Sequence, residues 1–321
     1  MENYVAKLPG RKRGRAVSRL AVAAIAAALV GTSASAAVAD APVPAPVKNV
    51  DISKLAQAAP KAGAGAKARA TARAAATAEA PVFGLFGIQR SDGFLYQYLP
   101  DGTGGLDERT FVTSDWDLLK AAATVDHSGD GVGDGMWAWD KAGNLYFNSD
   151  SESRTVGGGW NIYDKVLSPG NLGGGTAYDI IARDKSGVLW IYLGYDNGQV
   201  TSRVKVGGGW NAYTEISGKG DLTGDGKADI VARDSSGVLW LYKGTGDYKA
   251  PFAPRVKIGA GWNAYNALVS VGDVDLDGRA DLLARGTDGK LWLYKGDGGN
   301  QDPFESRKQI GFGYNIYSWM F

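Results

Sequence analysis

The sequence predicts an all-β fold, a five-bladed β-propeller of four-stranded antiparallel blades closed by pairing of the C-terminal strand with the first blade. Three observations predict it. Four short patterns each occur five times, the recurrences of the first are 44, 50, 52 and 52 residues apart, and glycine supplies 47 of 321 residues. Units of this length with four strands cannot bury their faces alone, and they stack around an axis.

Taken in chain order, residues 1–39 read as a secretory signal peptide. Lys7, Arg11, Lys12, Arg13, Arg15 and Arg19 precede an apolar run from Leu20 to Val30, and small residues end in Ala37-Val38-Ala39, so cleavage near Ala39 is expected. The apolar run is shorter than the ~20 residues a bilayer span needs, so no membrane attachment is expected after cleavage. Residues 40–80 are mainly Ala, Pro, Lys and Gly without an aromatic side chain. Such a segment cannot offset its chain entropy by burial and reads as a disordered linker or propeptide. The chain has no cysteine, so no disulfide contributes, and a secreted, extracellular bacterial protein is expected.

The propeller is expected over 81–321. The first pattern opens on Trp116-Asp117, Trp160-Asn161, Trp210-Asn211, Trp262-Asn263 and Tyr314-Asn315. The second is an apolar strand starting at Phe83, Met136, Asp179, Asp229 and Asp281, and the third alternates large apolar residues from Phe94, Asn144, Val188, Val238 and Lys290. The fourth is a basic, β-branched strand from Arg109, Ser153, Arg203, Arg255 and Arg307. Short turns such as KSG, SSG and TDG between the second and third are hairpin connections. The chain enters at a second strand and ends on a lone first strand, Tyr314 to Phe321, whose pairing with the first blade leaves no open edge.

Three repeats carry a nine-residue loop between their first and second strands: DHSGDGVGD, DLTGDGKAD and DVDLDGRAD. Oxygen side chains fall at loop positions 1, 3, 5 and 9, namely Asp126, Ser128, Asp130 and Asp134; Asp221, Thr223, Asp225 and Asp229; Asp273, Asp275, Asp277 and Asp281. The carbonyls of Val132, Lys227 and Arg279 offer a further oxygen after a glycine that permits the sharp turn. Alternating acidic oxygens in a tight turn suit Ca2+, which takes six to eight hard ligands in flexible geometry. Carboxylates ~4 Å apart repel by ~4 kcal/mol at an effective dielectric of ~20, and a divalent ion removes that penalty. About three Ca2+ sites are expected. An EF-hand is excluded because position 12 is Trp137, Ala232 or Ala284 within a strand. The loop 171–179 keeps the length but lacks acids at positions 3 and 5.

With these residues in hand, the chain resembles the FG-GAP or VCBS-like repeat family, the propeller repeat also found at the head of integrin α chains. The segment VGDVDLDGRADLLARGTDGKLWLYKGDG from Val271 carries the likeness, which extends to the repeat from Asp221. A second likeness is to the five-bladed lectin propeller tachylectin-2, carried by IGAGWNAY from Ile258 and IGFGYNIYSWMF from Ile310. The second resemblance implies binding of N-acetyl sugars, although the calcium loops and longer repeats depart from that pattern.

Residues 81–321 hold 23 Lys+Arg against 30 Asp+Glu, a net of −7, which argues against nucleic acid. A catalyst is not expected: there is no cysteine, the one histidine, His127, lies in a loop position whose side chain should point away from the metal, and glutamate within 81–321 is confined to Glu108, Glu152, Glu215 and Glu305. Two readings of a non-catalytic, monomeric module remain. One is a carbohydrate-binding propeller for cell-wall or chitin N-acetyl sugars, with Trp160, Asn161, Trp210, Asn211, Trp262 and Asn263 as ligand residues, since a flat ring covers a sugar face while an amide donates and accepts. The other is a protein-interaction module engaging a secreted protease or surface protein. A propeller glycoside hydrolase built on an aspartate pair is a third. A purely structural role for the Trp-Asn pairs, with the ring filling an inter-blade gap, stands beside all of them.

Overall fold

The computed structural model describes residues 80–149, 151–175 and 177–321. The expected signal peptide and, apart from Ala80, the expected linker lie outside the described residues. Strands β1 (Leu85–Gln89), β2 (Leu95–Tyr98) and β3 (Thr110–Thr113) belong to the first blade. The second blade holds β4 (Leu119–Val125), β5 (Gly135–Asp140), β6 (Leu145–Ser149) and β7 (Ser153–Gly157), and the third β8 (Tyr163–Gly170), β9 (Asp179–Asp184), β10 (Leu189–Tyr192) and β11 (Val204–Gly207). The fourth holds β12 (Tyr213–Ser217), β13 (Ile230–Asp234), β14 (Leu239–Tyr242) and β15 (Val256–Gly259), and the fifth β16 (Tyr265–Gly272), β17 (Asp281–Gly286), β18 (Leu291–Tyr294) and β19 (Lys308–Gly311). The last strand, β20 (Tyr317–Met320), returns to the first sheet, whose order is β20-β1-β2-β3. The result is an all-β ring of five sheets with four antiparallel strands each.

Closure is a hydrogen-bonded pairing. Gly87 lies opposite Met320 and Ile88 opposite Trp319, and Phe86 and Phe321 exchange N–H···O bonds of 2.8 and 3.1 Å. Phe321 stacks on Phe86 at 5.3 Å, on Trp116 at 5.9 Å and on Trp319 at 4.5 Å, so the tail is also packed against apolar rings.

The Trp-Asn pattern is not the beginning of a strand. Trp116–Leu118, Trp160–Ile162, Trp210–Ala212, Trp262–Ala264 and Tyr314–Ile316 each form one turn of 3-10 helix that feeds the innermost strand. Each turn fastens its blade to the preceding one. The N–H of Trp116, Trp160, Trp210, Trp262 and Tyr314 donates to the carbonyl of Gly93, Gly143, Gly187, Gly237 and Gly289, at 3.1, 2.9, 2.9, 3.0 and 3.0 Å. A second fastener comes from Arg183, Arg233 and Arg285, whose guanidinium groups donate to the carbonyls on either side of the next blade's turn, as in Arg285 to Tyr314 at 3.1 Å and Tyr317 at 2.9 Å. The second blade has Trp139 in place of that arginine, and its ring lies 5.7 Å from Trp160.

Around the axis β4, β8, β12 and β16 touch in succession. The missing loop of the first blade is replaced by the segment from Ala80. Val82 donates to Gly131 at 2.7 Å and accepts from Gly133 at 3.1 Å, while Pro81 accepts from Asp273 at 2.8 Å and Phe83 donates to Val271 at 2.9 Å. This segment therefore ties the second blade to the fifth. Lys219, 4 % exposed, crosses the interior to donate to the carbonyls of Thr124 at 2.7 Å and Ser168 at 2.6 Å, with its ammonium 4.6 Å from the Phe83 ring.

Candidate functional site

Because the Trp-Asn turns precede the innermost strands and the aspartate loops follow them, the two sets occupy opposite faces of the ring. Within each loop the first aspartate organises the backbone. Asp126 accepts from the N–H of Gly129 at 2.7 Å, Asp130 at 3.1 Å and Gly131 at 2.7 Å. Asp221 accepts from Thr223 at 2.9 Å, Gly224 at 2.7 Å and Gly226 at 2.6 Å, and Asp273 from Asp277 at 3.1 Å and Gly278 at 2.8 Å. The fifth-position residues Asp130, Asp225 and Asp277 each accept from the N–H two residues on, at 3.0, 3.1 and 3.0 Å.

The ninth aspartate closes the loop and, in three blades, pins it to the third strand. Asp229 accepts from Leu222 and Thr223 at 3.1 Å and from Gly244 at 2.7 Å; Asp281 accepts from Val274 at 2.8 Å and Gly296 at 2.7 Å. Asp179, in the loop without acids at positions 3 and 5, makes the same set with Leu172, Gly173 and Gly194 at 2.9, 2.7 and 3.0 Å. The ninth carboxylate thus has a structural task independent of any ion. In the second blade Asp134 accepts from His127 at 2.5 Å and Ser128 at 3.0 Å. One additional residue there, Gly135, moves the following strand along, so Asp140 lies six positions after Asp134 where Asp184 and Asp234 lie five after Asp179 and Asp229.

Among the described residues, one acidic group is gathered tightly enough to share an ion: Asp273, Asp275 and Asp281 place one oxygen each within 4.8 Å of one another. Asp275 is the informative member. Its side chain is 4 % exposed, Oδ2 pairs with the Lys295 ammonium, and the buried Oδ1 has no hydrogen-bond partner. An orphaned carboxylate oxygen in a buried site costs free energy unless a cation completes it, so this trio fits a hard divalent ion. Asp277 lies outside the trio, as does Arg279, whose N–H is taken by Asp277. The trios Asp126/Asp130/Asp134 and Asp221/Asp225/Asp229 are more spread, and Ser128 is exposed whereas Thr223 is buried.

Burial dominates the protonation of these loops. It pushes Asp281 up to about 8, with the negative charges of Asp275 and Asp273 adding to it, and Asp229 up to about 7, with Asp221 and Asp225 adding. Asp273 is pushed to about 6 by burial, aided by Asp277 and Asp275. Asp179 reaches about 6 by burial without an acidic neighbour.

On the opposite face the Trp-Asn residues share one arrangement. The rings of Trp160, Trp210 and Trp262 are 7, 6 and 7 % exposed and lie 4.5, 4.7 and 4.6 Å from Tyr192, Tyr242 and Tyr294, so they fill the blade interior. Asn161, Asn211 and Asn263 are exposed and sit over the hairpin glycines Gly143, Gly187 and Gly237. A further set was not legible beforehand. Arg203, Arg255 and Arg307 lie over the rings of Trp190, Trp240 and Trp292 at 4.2, 4.0 and 4.3 Å and donate to the hydroxyls of Tyr163, Tyr213 and Tyr265. Arg109 does the same with Tyr96 at 4.3 Å and Tyr317. The basic start of the fourth strand was its only trace in the sequence.

The fold defines a class, a five-bladed propeller of four-stranded blades, and one stretch of it matches a known repeat. Residues 221–284 match the FG-GAP-like repeat, which includes the whole Asp221 loop and the Asp273 loop. No curated protein matches the chain. Solved structures that align with it include BBS1N in complex with ARL6DN (TM-score 0.37, 10 % identity, 68 % of this chain and 61 % of that one) and human WBSCR16 (0.34, 10 %, 70 % and 64 %). Another is a triple arginine-to-alanine mutant of AofleA from Arthrobotrys oligospora (0.43, 11 %, 77 % and 75 %). The chain spans less than two thirds of the length of the first two, and at these identities and scores none bears on what this protein binds. Among the described residues no helix is long and apolar enough to cross a membrane.

Proposed function

We propose that this protein is a secreted, calcium-stabilised and non-catalytic binding propeller whose ligand is a carbohydrate bearing N-acetyl sugars. Calcium is carried by the Asp273/Asp275/Asp281 trio with its orphaned Asp275 oxygen, and the Asp221 and Asp126 loops supply two further sites once an ion draws their oxygens together. The observation that carries the ligand class is repetition. Asn161, Asn211 and Asn263 share one placement, exposed on one face and backed by a buried indole, with Asn263 also donating to the Ser235 carbonyl at 3.3 Å. Equivalent weak sites around a ring suit a polymer of repeating units, because linked sites raise avidity 10²–10⁴-fold without new contacts. With the rings covered, the amides make the polar contacts and the indoles hold them in place. A glycan array and chitin pull-down in calcium buffer test this, with retention expected and lost in the Asn161→Ala/Asn211→Ala/Asn263→Ala variant; no retention of the parent protein removes the glycan reading.

One observation favours a protein partner instead. Phe312 is 82 % exposed beside Ile316 at 42 %, at the turn leading into β20, and such apolar side chains mark contact surfaces. Recovery of one protein from culture supernatant by the parent chain, lost with Phe312→Ser, would support that reading over the glycan.

A further inference from the structure

The segment that fills the gap in the first blade is held on both sides by aspartate loops. On one side Val82 donates to the carbonyl of Gly131 and accepts from Gly133, at the sixth and eighth positions of the second-blade loop. On the other, Asp273, the first position of the fifth-blade loop, donates its N–H to the Pro81 carbonyl at 2.8 Å, and Val82 bridges to Gly272. Each attachment continues into a carboxylate of its loop. The Gly131 N–H is held by Asp126 at 2.7 Å, so Asp126 and Val82 bond the two sides of one residue. Asp273 bonds Pro81 through its N–H while its carboxylate accepts from Asp277 and Gly278.

The fit leaves no slack. Gly272, at φ +80, lies so near the segment that a Cβ there would stand 1.7 Å from the Pro81 carbonyl oxygen, and one on Gly133 would meet the Phe83 ring at 2.3 Å. Val82 and Phe83 are both 2 % exposed. Opening either loop therefore breaks the backbone bonds that seat the segment. The fourth-blade loop is attached elsewhere: Gly220, just before its first aspartate, donates to Pro169 of the third blade at 2.8 Å, and a Cβ on its Gly224 would meet Gly298 of the fifth at 3.8 Å.

We infer that calcium in the second- and fifth-blade loops clamps the entry segment, residues 81–83, into the ring, and that the fourth-blade ion does not. The inference rests on the calcium reading of these loops and adds which part of the ring each ion governs. An ion that binds only the formed loop suppresses its opening by the factor one plus the ratio of free calcium to Kd. At a tenfold ratio, release of the segment falls ~10-fold if it opens one loop and ~100-fold if it opens both.

The test is amide hydrogen exchange of the full chain, read by mass spectrometry in calcium and in EDTA, with calcium uptake measured in parallel by titration calorimetry. The amides of Val82 and Phe83, bonded to Gly131 and Val271, are expected to exchange ~10- to 100-fold more slowly in calcium. Asp275→Asn, which weakens the fifth-blade site, is expected to lose ~10-fold of that protection, whereas Asp225→Asn, which weakens the fourth-blade site, keeps it. Thermal denaturation checks that both variants fold. Equal loss in the two variants would mean that the ions act on global stability alone, and it would overturn the inference. Full protection in Asp275→Asn, or unchanged exchange in a parent chain that takes up calcium, would do the same. A parent chain that takes up no calcium in the calorimeter removes the calcium reading itself, so the two failures are told apart.

Discussion

Asp275 presents a carboxylate oxygen to a buried site with nothing to bond, while Lys295 neutralises its other oxygen. Asp275→Asn keeps the shape and removes the charge, so calcium affinity at this loop is expected to fall at least tenfold by titration calorimetry, with little loss of metal-free stability. Asp281→Asn should behave differently. Its carboxylate accepts two backbone N–H groups, and an amide nitrogen facing either of them leaves a buried donor unmatched, at a cost of about 1–3 kcal/mol even without metal. Lys219 is a third residue whose role is electrostatic. Burial pushes its ammonium down to about 7 from 10.5. The unfolded chain then binds more protons across that interval, and stability contributed at this site rises with pH from about 7 to 10.5. Urea denaturation across this range should show the slope in the parent and its loss in Lys219→Met.

At the scale of the element, the Trp-Asn turn and the preceding blade's hairpin act as one fastener, and two glycines separate its parts. Gly143 and Gly159 both have strongly positive φ, +89 and +86, but a Cβ on Gly143 would lie 2.7 Å from the Asn161 nitrogen whereas one on Gly159 would meet nothing within 4 Å. Gly159→Ala should therefore cost only the left-handed backbone penalty of ~1–2 kcal/mol. Gly143→Ala adds displacement of the next blade's turn and should destabilise by at least ~1 kcal/mol more in chemical denaturation. The strands themselves were legible, because alternation of large and small residues survives in all five copies, and so was the return of β20 to β1. The turn was read as a strand start because Trp and Asn at its head carry no sign of the carbonyl of Gly143, a residue of another blade. The aspartate loops were legible as equals, and only the pairing of β4 with β5 reveals that Gly135 shifts the second blade by one residue. Lys219 was illegible because its acceptors, Thr124 and Ser168, lie 95 and 51 residues away.

For the whole molecule, the proposed calcium ions and protons compete for carboxylates of the same loops. Asp281, Asp229, Asp273 and Asp179 have folded values raised to about 8, 7, 6 and 6 from 3.8, so the folded state holds protons that the unfolded chain has released. In EDTA, stability should decline as pH rises from about 4 to about 8. Saturating calcium should flatten the share of this decline that belongs to Asp281, Asp229 and Asp273, where the proposed ion replaces the protons, and leave the share of Asp179. At free calcium tenfold above a Kd of ~10⁻⁴ M, each occupied site contributes ~1.4 kcal/mol, and three contribute ~4 kcal/mol. A domain of this size then gains ~10 °C in Tm with three sites and ~4 °C with one. Differential scanning calorimetry in calcium and in EDTA distinguishes the two, and unchanged melting removes calcium from the account.

The pairing of β20 with β1 also dictates when this molecule can finish folding. Its first and last described strands are neighbours in one sheet, so a chain made only as far as β19 carries four complete sheets and an incomplete fifth. Until Met320 has emerged, β1 keeps a free edge. The topology itself thus withholds the finished ring until β20 has been made.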